Sequence, residues 1–169
     1  MSLRAGDGVE LIDAKQQVFL SPLKNEYVSP ISMILCSMDP WHTLEYRPDV
    51  FEFYLLRADA ALSRYAVMIS GTVAGVLSLR SPWLSGPFIE LMALFEGFQG
   101  KGVGRRLIDW ICDHFEAANL WTTVSSFNLK AQRFYSNAGF VQMAILEDLI
   151  KGGWDELLLR KKMAAPSRR

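Results

Sequence analysis

The stretch "FQGKGVGRRL", residues 98–107, places three glycines within five residues and leads into a helical pattern. Glycines this dense usually mark backbone that must come close to another group. The first N–H groups of a helix have no partner within the helix, and the helix dipole adds positive potential there. Together these features predict an anion site, and most readily a phosphate site, where the helix begins.

Two familiar phosphate-binding loops do not fit this stretch. A P-loop requires Gly-Lys followed by Ser or Thr, whereas Lys101 is followed by Gly102. A dinucleotide fingerprint requires G-x-G-x-x-G, whereas these glycines are spaced two and two, without an acidic residue ending a second strand further on. A tight turn with no ligand remains an alternative, although three glycines exceed what a turn needs.

Composition excludes several classes of protein. The chain has 169 residues, enough for one domain, and a formal net charge of zero, which argues against general nucleic-acid binding. No apolar run is long enough to predict a membrane span. Cys36 and Cys112 lie in apolar segments and are expected to be reduced thiols in a cytoplasmic protein. Two histidines without paired cysteines predict no metal site.

The hydrophobic pattern predicts an α/β domain with the order β-α-α-β-β-β-α-β-α-β-β. We expect a mixed, mostly antiparallel sheet of six to seven strands with helices on both faces. The domain is assigned to residues 16–163, between an N-terminal extension, 1–15, and a flexible basic tail, 164–169. Strands are predicted at 16–22, 64–71, 72–80, 88–95, 120–127, 140–149 and 154–162, and helices at 29–38, 47–60, 104–119 and 128–139.

Some finer expectations concern element ends and faces. Ser29 is expected to cap the first helix, with Pro30 at the first helical position. Pro82 and Pro87 are expected to bracket a loop. The strand at 88–95 is so apolar that burial on both faces is expected. The second helix is predicted to bury a stripe formed by Val50, Phe53, Tyr54 and Arg57.

The glycine stretch resembles a known family signature. "QGKGVG", residues 99–104, matches the Q/R-x-x-G-x-G/A signature of the GNAT superfamily of N-acetyltransferases at each position. Glu96 departs from the family, which often has Pro there; this alters the turn but removes no phosphate donor. The element order is also similar, so the resemblance covers roughly residues 16–162. A second block, "N-x-x-A-x-x-F/L-Y-x-x-x-G-F", is matched by Asn128, Ala131, Phe134, Tyr135, Gly139 and Phe140.

The resemblance implies acetyl-CoA as co-substrate. Backbone N–H groups of the loop, with Arg105, would hold the pyrophosphate. The pantetheine arm would lie between the strands at 88–95 and 120–127, which splay apart in this family, and would bond to Leu94 like an added strand. Asn128 would contact the arm from the start of its helix. The implied cofactor-binding residues are Leu94, Gln99, Gly100, Lys101, Gly102, Val103, Gly104, Arg105 and Asn128.

The resemblance also implies catalytic roles. Tyr135 occupies the position from which family members protonate the departing sulfur; simple packing beside Phe134 is the alternative. Glu90 lies where members often carry a glutamate base, and a solvent-facing edge carboxylate is an equal alternative. A strand N–H near Leu94 would stabilise the oxyanion. His42 is expected to pair with a surface carboxylate rather than to act in catalysis.

The acceptor side is less specific in sequence. Trp41, Trp83 and Trp154 fall in predicted loops around the acceptor end, where they would form a partly apolar pocket or a peptide groove, or equally serve as lids on the core. The resemblance implies an acyltransferase acting on the primary amine of a small molecule or of a peptide N-terminus. A non-catalytic acyl-CoA-binding module is the alternative, against which Tyr135 together with Asn128 favours an enzyme. A homodimer is left open.

Overall fold

The structure of the protein is a computed structural model that describes residues 8–163. The predicted basic tail, 164–169, lies outside the described residues. The strands are β1 Glu10–Asp13, β2 Val18–Pro22, β3 Leu62–Ile69, β4 Thr72–Trp83, β5 Gly86–Leu94, β6 Asn119–Ser125, β7 Val141–Lys151 and β8 Trp154–Lys162. The helices are α1 Asn25–Cys36, α2 Pro48–Leu56, α3 Val103–His114 and α4 Leu129–Asn137.

All the described strands belong to one sheet, in the order β1-β2-β3-β4-β5-β6-β8-β7. Neighbours are antiparallel except β5 and β6, which are parallel. One face is covered by α1 and α2 and the other by α3 and α4, with a separate apolar cluster under each pair. The predicted mixed, mostly antiparallel fold is therefore confirmed. The sheet has eight strands, more than expected, because Glu10–Asp13 in the predicted N-terminal extension pairs with β2.

The first helix begins earlier than expected. Lys24 precedes it in an extended conformation, and the Tyr27 N–H donates to the Lys24 carbonyl at 3.0 Å. Ser29 and Pro30 therefore lie inside the helix, and the prediction that they begin it is wrong. Buried side chains lie on both sides of the proline, at Val28 and Ile31, so tertiary packing carries the helix through a residue that lacks an N–H donor.

The second helix buries a different face from the one predicted. Phe51 and Leu55 are buried, whereas Val50 and Phe53 are exposed, Phe53 by 69%. The sequence of this helix, "PDVFEFYLL", is apolar on nearly every side, so its period does not distinguish the faces.

The segment between the two prolines is a hairpin turn rather than a loop. β4 runs through to Trp83, which pairs with Gly86 at the start of β5. Leu84 and Ser85 form the turn with positive φ angles of 36° and 60°. Burial along β5 alternates instead of being complete on both faces. Leu91 and Ala93 are buried in the cluster under α1 and α2, whereas Met92 and Leu94 are only partly buried against the cluster under α3 and α4. Within residues 8–163, no helix is long and apolar enough to cross a membrane.

Candidate active site

A gap between β5 and β6 is the centre of the candidate site. The two strands pair only at Phe88 with Trp121 and at Ile89 with Thr122. The Thr122 hydroxyl donates to the Ile89 carbonyl at 3.1 Å. β5 then continues to Leu94 and β6 to Ser125 without further pairing to each other. The strands thus splay apart after Ile89, as the resemblance implied.

The outer end of β5 points backbone groups into this gap. The Phe95 N–H, just after β5, donates to the carbonyl of Ala74 in β4 at 2.8 Å. Since successive residues of a strand direct their N–H and C=O groups to opposite edges, those of Leu94 face the gap. The Leu94 carbonyl accepts a hydrogen bond from Gln99 Nε2 at 2.7 Å. The Leu94 N–H therefore has the direction that an added strand requires.

The glycine-rich loop follows directly. Gly100 and Gly102 have φ angles of 74° and 80°, in the left-handed region that favours glycine, and a Cβ at either would touch nothing within 4 Å. Gly104 differs, since a Cβ there would lie 3.1 Å from two ring atoms of Phe134. Two glycines thus shape the loop, and the third lets α3 pack closely on α4.

The first turn of α3 presents amide groups to the loop. The Arg106 N–H donates to the Gly102 carbonyl at 3.2 Å, so the preceding amides, of Val103, Gly104 and Arg105, lie before the first intrahelical bond. These N–H groups and the helix dipole form an anion site without any side chain. The Lys101 ammonium lies over the Phe98 ring, 5.9 Å from its centroid.

The two arginines of the loop are engaged with neighbours. Arg105 Nε lies 3.0 Å from Asp109 Oδ1, and its Nη1 donates to the Asn137 carbonyl at 3.2 Å. Arg106 Nε lies 2.6 Å from Asp13 Oδ2. Arg105 therefore borders the loop with its guanidinium directed towards the end of α4.

Asn128 begins α4 as its N-cap. Its Oδ1 accepts a hydrogen bond from the Ala131 backbone N–H at 3.1 Å, which explains in physical terms why an asparagine suits the start of this helix. Lys130, in the first turn of this helix, donates to Gln99 Oε1. The start of α4 is thereby tied to the glycine-rich loop across the outer end of the gap.

Tyr135 reaches the gap from the α3–α4 face. It is only 6% exposed and packs edge-on against Phe134 and Phe140. Burial raises the pKa of its hydroxyl to about 12, although a hydrogen bond with Thr122 lowers it in part. The hydroxyl therefore remains protonated at neutral pH, next to the last paired residue of β6.

Glu90 reaches the gap from the opposite face because of a β-bulge. Ser78 of β4 pairs with Leu91 and Leu79 pairs with Ile89, so Glu90 is an extra residue in β5. Its carboxylate accepts hydrogen bonds from the Tyr54 hydroxyl, at 3.0 Å, and from Arg80 Nε. Its side chain is 18% exposed, so it is not the solvent-facing carboxylate of the alternative interpretation.

A cavity of about 470 Å³ opens beside Glu90 on the α1–α2 face. Trp83 borders this cavity. Trp41 instead packs edge-on against Phe51, and Trp154 packs against Phe127, so neither borders it. The lining consists of Tyr54, Trp83, Leu84, Phe88, Glu90, Thr123, Leu146, Leu149 and Leu158.

Several residues of this region escaped the sequence analysis. Arg80 carried a signal, since it is a charged residue ending an apolar strand, and Thr122 and Thr123 are polar residues inside a buried one. Tyr54 belongs to the stripe that the sequence predicts to be buried on the second helix, which gave no indication of a place at a cavity. Leu149 carried no signal, because its place at the cavity depends on the pairing of β8 with β6, which brings the last hairpin into the sheet.

Neither histidine lines the cavity beside Glu90. His114 stacks on Trp110 at the end of α3, with 4.6 Å between ring centroids. The His42 N–H donates to the Met38 carbonyl after α1. Within the part of the chain that the structure describes, no cluster of potential ligands could hold a metal ion.

Comparison with known proteins identifies the class. Residues 28–140, more than half of the chain, match the model of the "Acetyltransferase (GNAT) family". The chain belongs to this family and is therefore an acyltransferase. No protein of curated function matches the sequence at a significant level.

Solved structures share the fold at low sequence identity. An acetyltransferase from Thermus thermophilus has a TM-score of 0.68 and 17% identity, over 86% of this chain and 97% of the other. A dodecameric spermidine N-acetyltransferase from Vibrio cholerae has a TM-score of 0.64 and 20% identity, over 86% and 94%. A protein from Bacillus anthracis assigned as a streptothricin acetyltransferase, in complex with acetyl coenzyme A, has a TM-score of 0.56 and 17% identity, over 66% and 68%.

Proposed function

We propose that the protein is an N-acetyltransferase that moves an acetyl group from acetyl-CoA to a primary amine. The observation that carries this proposal is the gap after Ile89, which Tyr135 reaches from one face of the sheet and Glu90 from the other. The acetyl coenzyme A bound to the Bacillus anthracis protein supports the choice of donor.

Donor binding would use the outer half of the gap. The pyrophosphate would lie at the loop, on the amides of Gly102 to Gly104, with Lys101 and Arg105 beside it. The pantetheine arm would pair with the Leu94 N–H as an added strand and pass Asn128 at the start of α4. This route leads inward to the bulge at Glu90.

The chemistry requires three contributions from the protein. In the reaction the amine nitrogen bonds to the acetyl carbon, and the carbon–sulfur bond breaks. β5 N–H groups facing the gap, up to Leu94, would stabilise the oxygen that gains negative charge. Tyr135 would donate a proton to the sulfur. Glu90, directly or through one water, would accept the proton that the amine loses.

A non-catalytic acyl-CoA-binding module is the second candidate. Such a module needs the glycine-rich loop but not a protonated hydroxyl and a carboxylate on opposite faces of the gap, so this arrangement favours the enzyme.

The test is thiol release from acetyl-CoA with a panel of small amines, amino acids and short peptides. We expect amine-dependent release with formation of the acetylated amine. Calorimetric binding of acetyl-CoA without any such release would identify the binding module instead.

A further inference from the structure

The walls of the cavity beside Glu90 are mostly apolar. The β4–β5 hairpin contributes Trp83 and Phe88, and the β7–β8 hairpin contributes Leu146, Leu149 and Leu158. Its volume, about 470 Å³, is in the range of small-ligand sites. Such walls favour a ligand that buries apolar surface and disfavour charged or strongly hydrated groups away from the polar end.

The polar end of the cavity carries little net negative charge. Arg80 donates to Glu90 and also, through Nη2, to Asp59 at 2.9 Å. Arg57 Nη2 lies 3.7 Å from the same Asp59 carboxylate. Each carboxylate in this network therefore already has a guanidinium partner.

A further guanidinium adds positive charge behind the cavity wall. Arg64 lies over the Tyr54 ring, 5.4 Å from its centroid. Its Nε and Nη2 are buried without a hydrogen-bond partner among the described residues. The surroundings of Glu90 thus hold three guanidiniums against two carboxylates.

One more carboxyl group lies on this face of the sheet. Glu156 is two residues before Leu158 on β8, is 3% exposed and accepts a hydrogen bond from Ser125. Burial raises the pKa of this carboxyl. It does not line the cavity.

The geometry points to an acceptor that is a small primary monoamine with an aromatic or branched aliphatic body, rather than a polyamine. This inference rests on the proposed function and narrows it. A polyamine would place second and third ammonium groups against Leu146 and Leu149, where the cavity lining has no unpaired carboxylate to compensate for their lost hydration. Glu147 and Asp148 lie between these leucines on β7 but do not line the cavity. The excess of guanidinium charge also favours the neutral form of the single amine, which is the form that attacks.

A substrate panel tests the inference. Initial rates are measured with 2-phenylethylamine, isoamylamine, putrescine, spermidine and a short peptide with N-terminal Leu, at fixed acetyl-CoA. We expect kcat/KM for one of the two apolar monoamines to exceed that for each polyamine and for the peptide at least ten-fold. A preference for spermidine or the peptide overturns the inference but leaves the proposed function intact.

A binding measurement keeps the two proposals separable. If neither these amines nor the wider panel of amines, amino acids and peptides is acetylated, the proposed function fails, and calorimetry on the CoA-saturated protein decides the acceptor class. Tighter binding of 2-phenylethylamine than of spermidine upholds the apolar cavity as a ligand site. Equal or weaker binding overturns it.

A pair of variants on one strand locates the site. Leu149 lines the cavity and Ile145 does not, yet both lie on β7 and are similarly exposed, by 58% and 55%. Leu149→Glu should raise KM for the apolar monoamine about ten-fold and lower KM for spermidine, because it places a carboxylate in the wall. Ile145→Glu introduces the same charge outside the cavity and should change neither value. Equal effects of the two substitutions would overturn the assignment of the cavity.

Discussion

The Thr122 hydroxyl donates a hydrogen bond to the Ile89 carbonyl at 3.1 Å, on the last paired residues of β5 and β6. This contact fixes the point at which the two strands separate. The next residue of β5 is Glu90, which the bulge turns towards α2, and Tyr135 lies beside Thr122 on the side of α4. The last pair of β5 and β6 therefore places the Tyr135 hydroxyl and the Glu90 carboxylate near the beginning of the gap, on opposite faces of the sheet.

Replacement of Tyr135 by Phe tests the proton donor. The ring and its packing against Phe134 and Phe140 remain, and only the hydroxyl is lost. Because a thiol has a pKa near 8.5, its thiolate is already a fair leaving group, and the expected loss in kcat is about 10²-fold. Acetyl-CoA affinity, measured by calorimetry, should stay near that of the parent, which is the pattern of an interaction made in the transition state.

Tyr46→Phe is the matched control for this substitution. Tyr46 is a partly buried tyrosine, and burial raises the pKa of its hydroxyl as it does for Tyr135. It stacks on Phe51 in the α1–α2 cluster, on the opposite face of the sheet from Tyr135. The control should retain kcat. If Tyr135→Phe also retains kcat with a good acceptor, Tyr135 is a packing residue and water protonates the sulfur.

Substitution of Gly102 tests the phosphate loop. Gly102 has a φ of 80° at the start of α3, and both Asp and Asn tolerate this region better than most side chains. Gly102→Asp would place a negative charge at the helix N-terminus, where a pyrophosphate is expected, whereas Gly102→Asn has nearly the same shape without the charge. We expect calorimetry to show a loss of acetyl-CoA affinity at least ten-fold larger for Asp than for Asn. Equal losses would mean that the loop geometry, and not an anion site, is what the substitutions disturb.

Local sequence signals predicted the glycine-rich turn, the helix that follows it and a helix beginning at Asn128. These features depend on backbone angles and spacings within a few residues, which a sequence displays directly. The face of α2 depends on what packs against an almost uniformly apolar helix. The cavity is lined by Leu149 of the last hairpin together with residues far away in the chain, such as Tyr54 and Trp83. Such long-range contacts leave no period or motif in a single sequence.

The ion pair around Glu90 illustrates the same limit. Arg80 of β4 links Glu90 of the neighbouring β5 to Asp59, which lies in the segment between α2 and β3. The family resemblance indicated Glu90 as a base, but nothing in the sequence placed a guanidinium on it. The numbers of guanidiniums and carboxylates around Glu90, on which the inference about the acceptor rests, are therefore visible only in the folded chain.

Glu90→Gln tests the carboxylate as proton acceptor. The amide retains an oxygen that can accept from Tyr54 or Arg80, so packing is largely kept. We expect kcat with the best amine to fall about 10²-fold, since general base catalysis typically contributes that much, with little change in acetyl-CoA affinity. The exposed Glu116→Gln substitution serves as control and should leave kcat unchanged. Undiminished kcat in Glu90→Gln would assign the residue a purely structural role in its ion pair.

The buried carboxyl of Glu156 predicts a pH dependence of stability. Burial raises its pKa, and hydrogen bonds from Ser125 and Thr123 lower it only in part. A group whose pKa is raised on folding contributes fully to stability below its unfolded-state value, near 4.3, and loses that contribution as pH rises through its folded-state value. At neutral pH the folded chain therefore carries a penalty for charging Glu156, which a glutamine would remove.

Thermal unfolding of Glu156→Gln from about pH 4 to pH 8 measures this penalty. We expect the variant to exceed the parent in Tm at neutral pH by a few degrees, since about 1 kcal/mol shifts Tm by roughly 2–4 °C in a chain of this size. The difference should shrink on acidification, because the parent then carries a neutral carboxyl as well. Glu116→Gln, at an exposed carboxyl, should show no such trend. A difference in Tm that does not vary with pH would mean that Glu156 is accommodated equally well in both protonation states, through its hydrogen bond with Ser125.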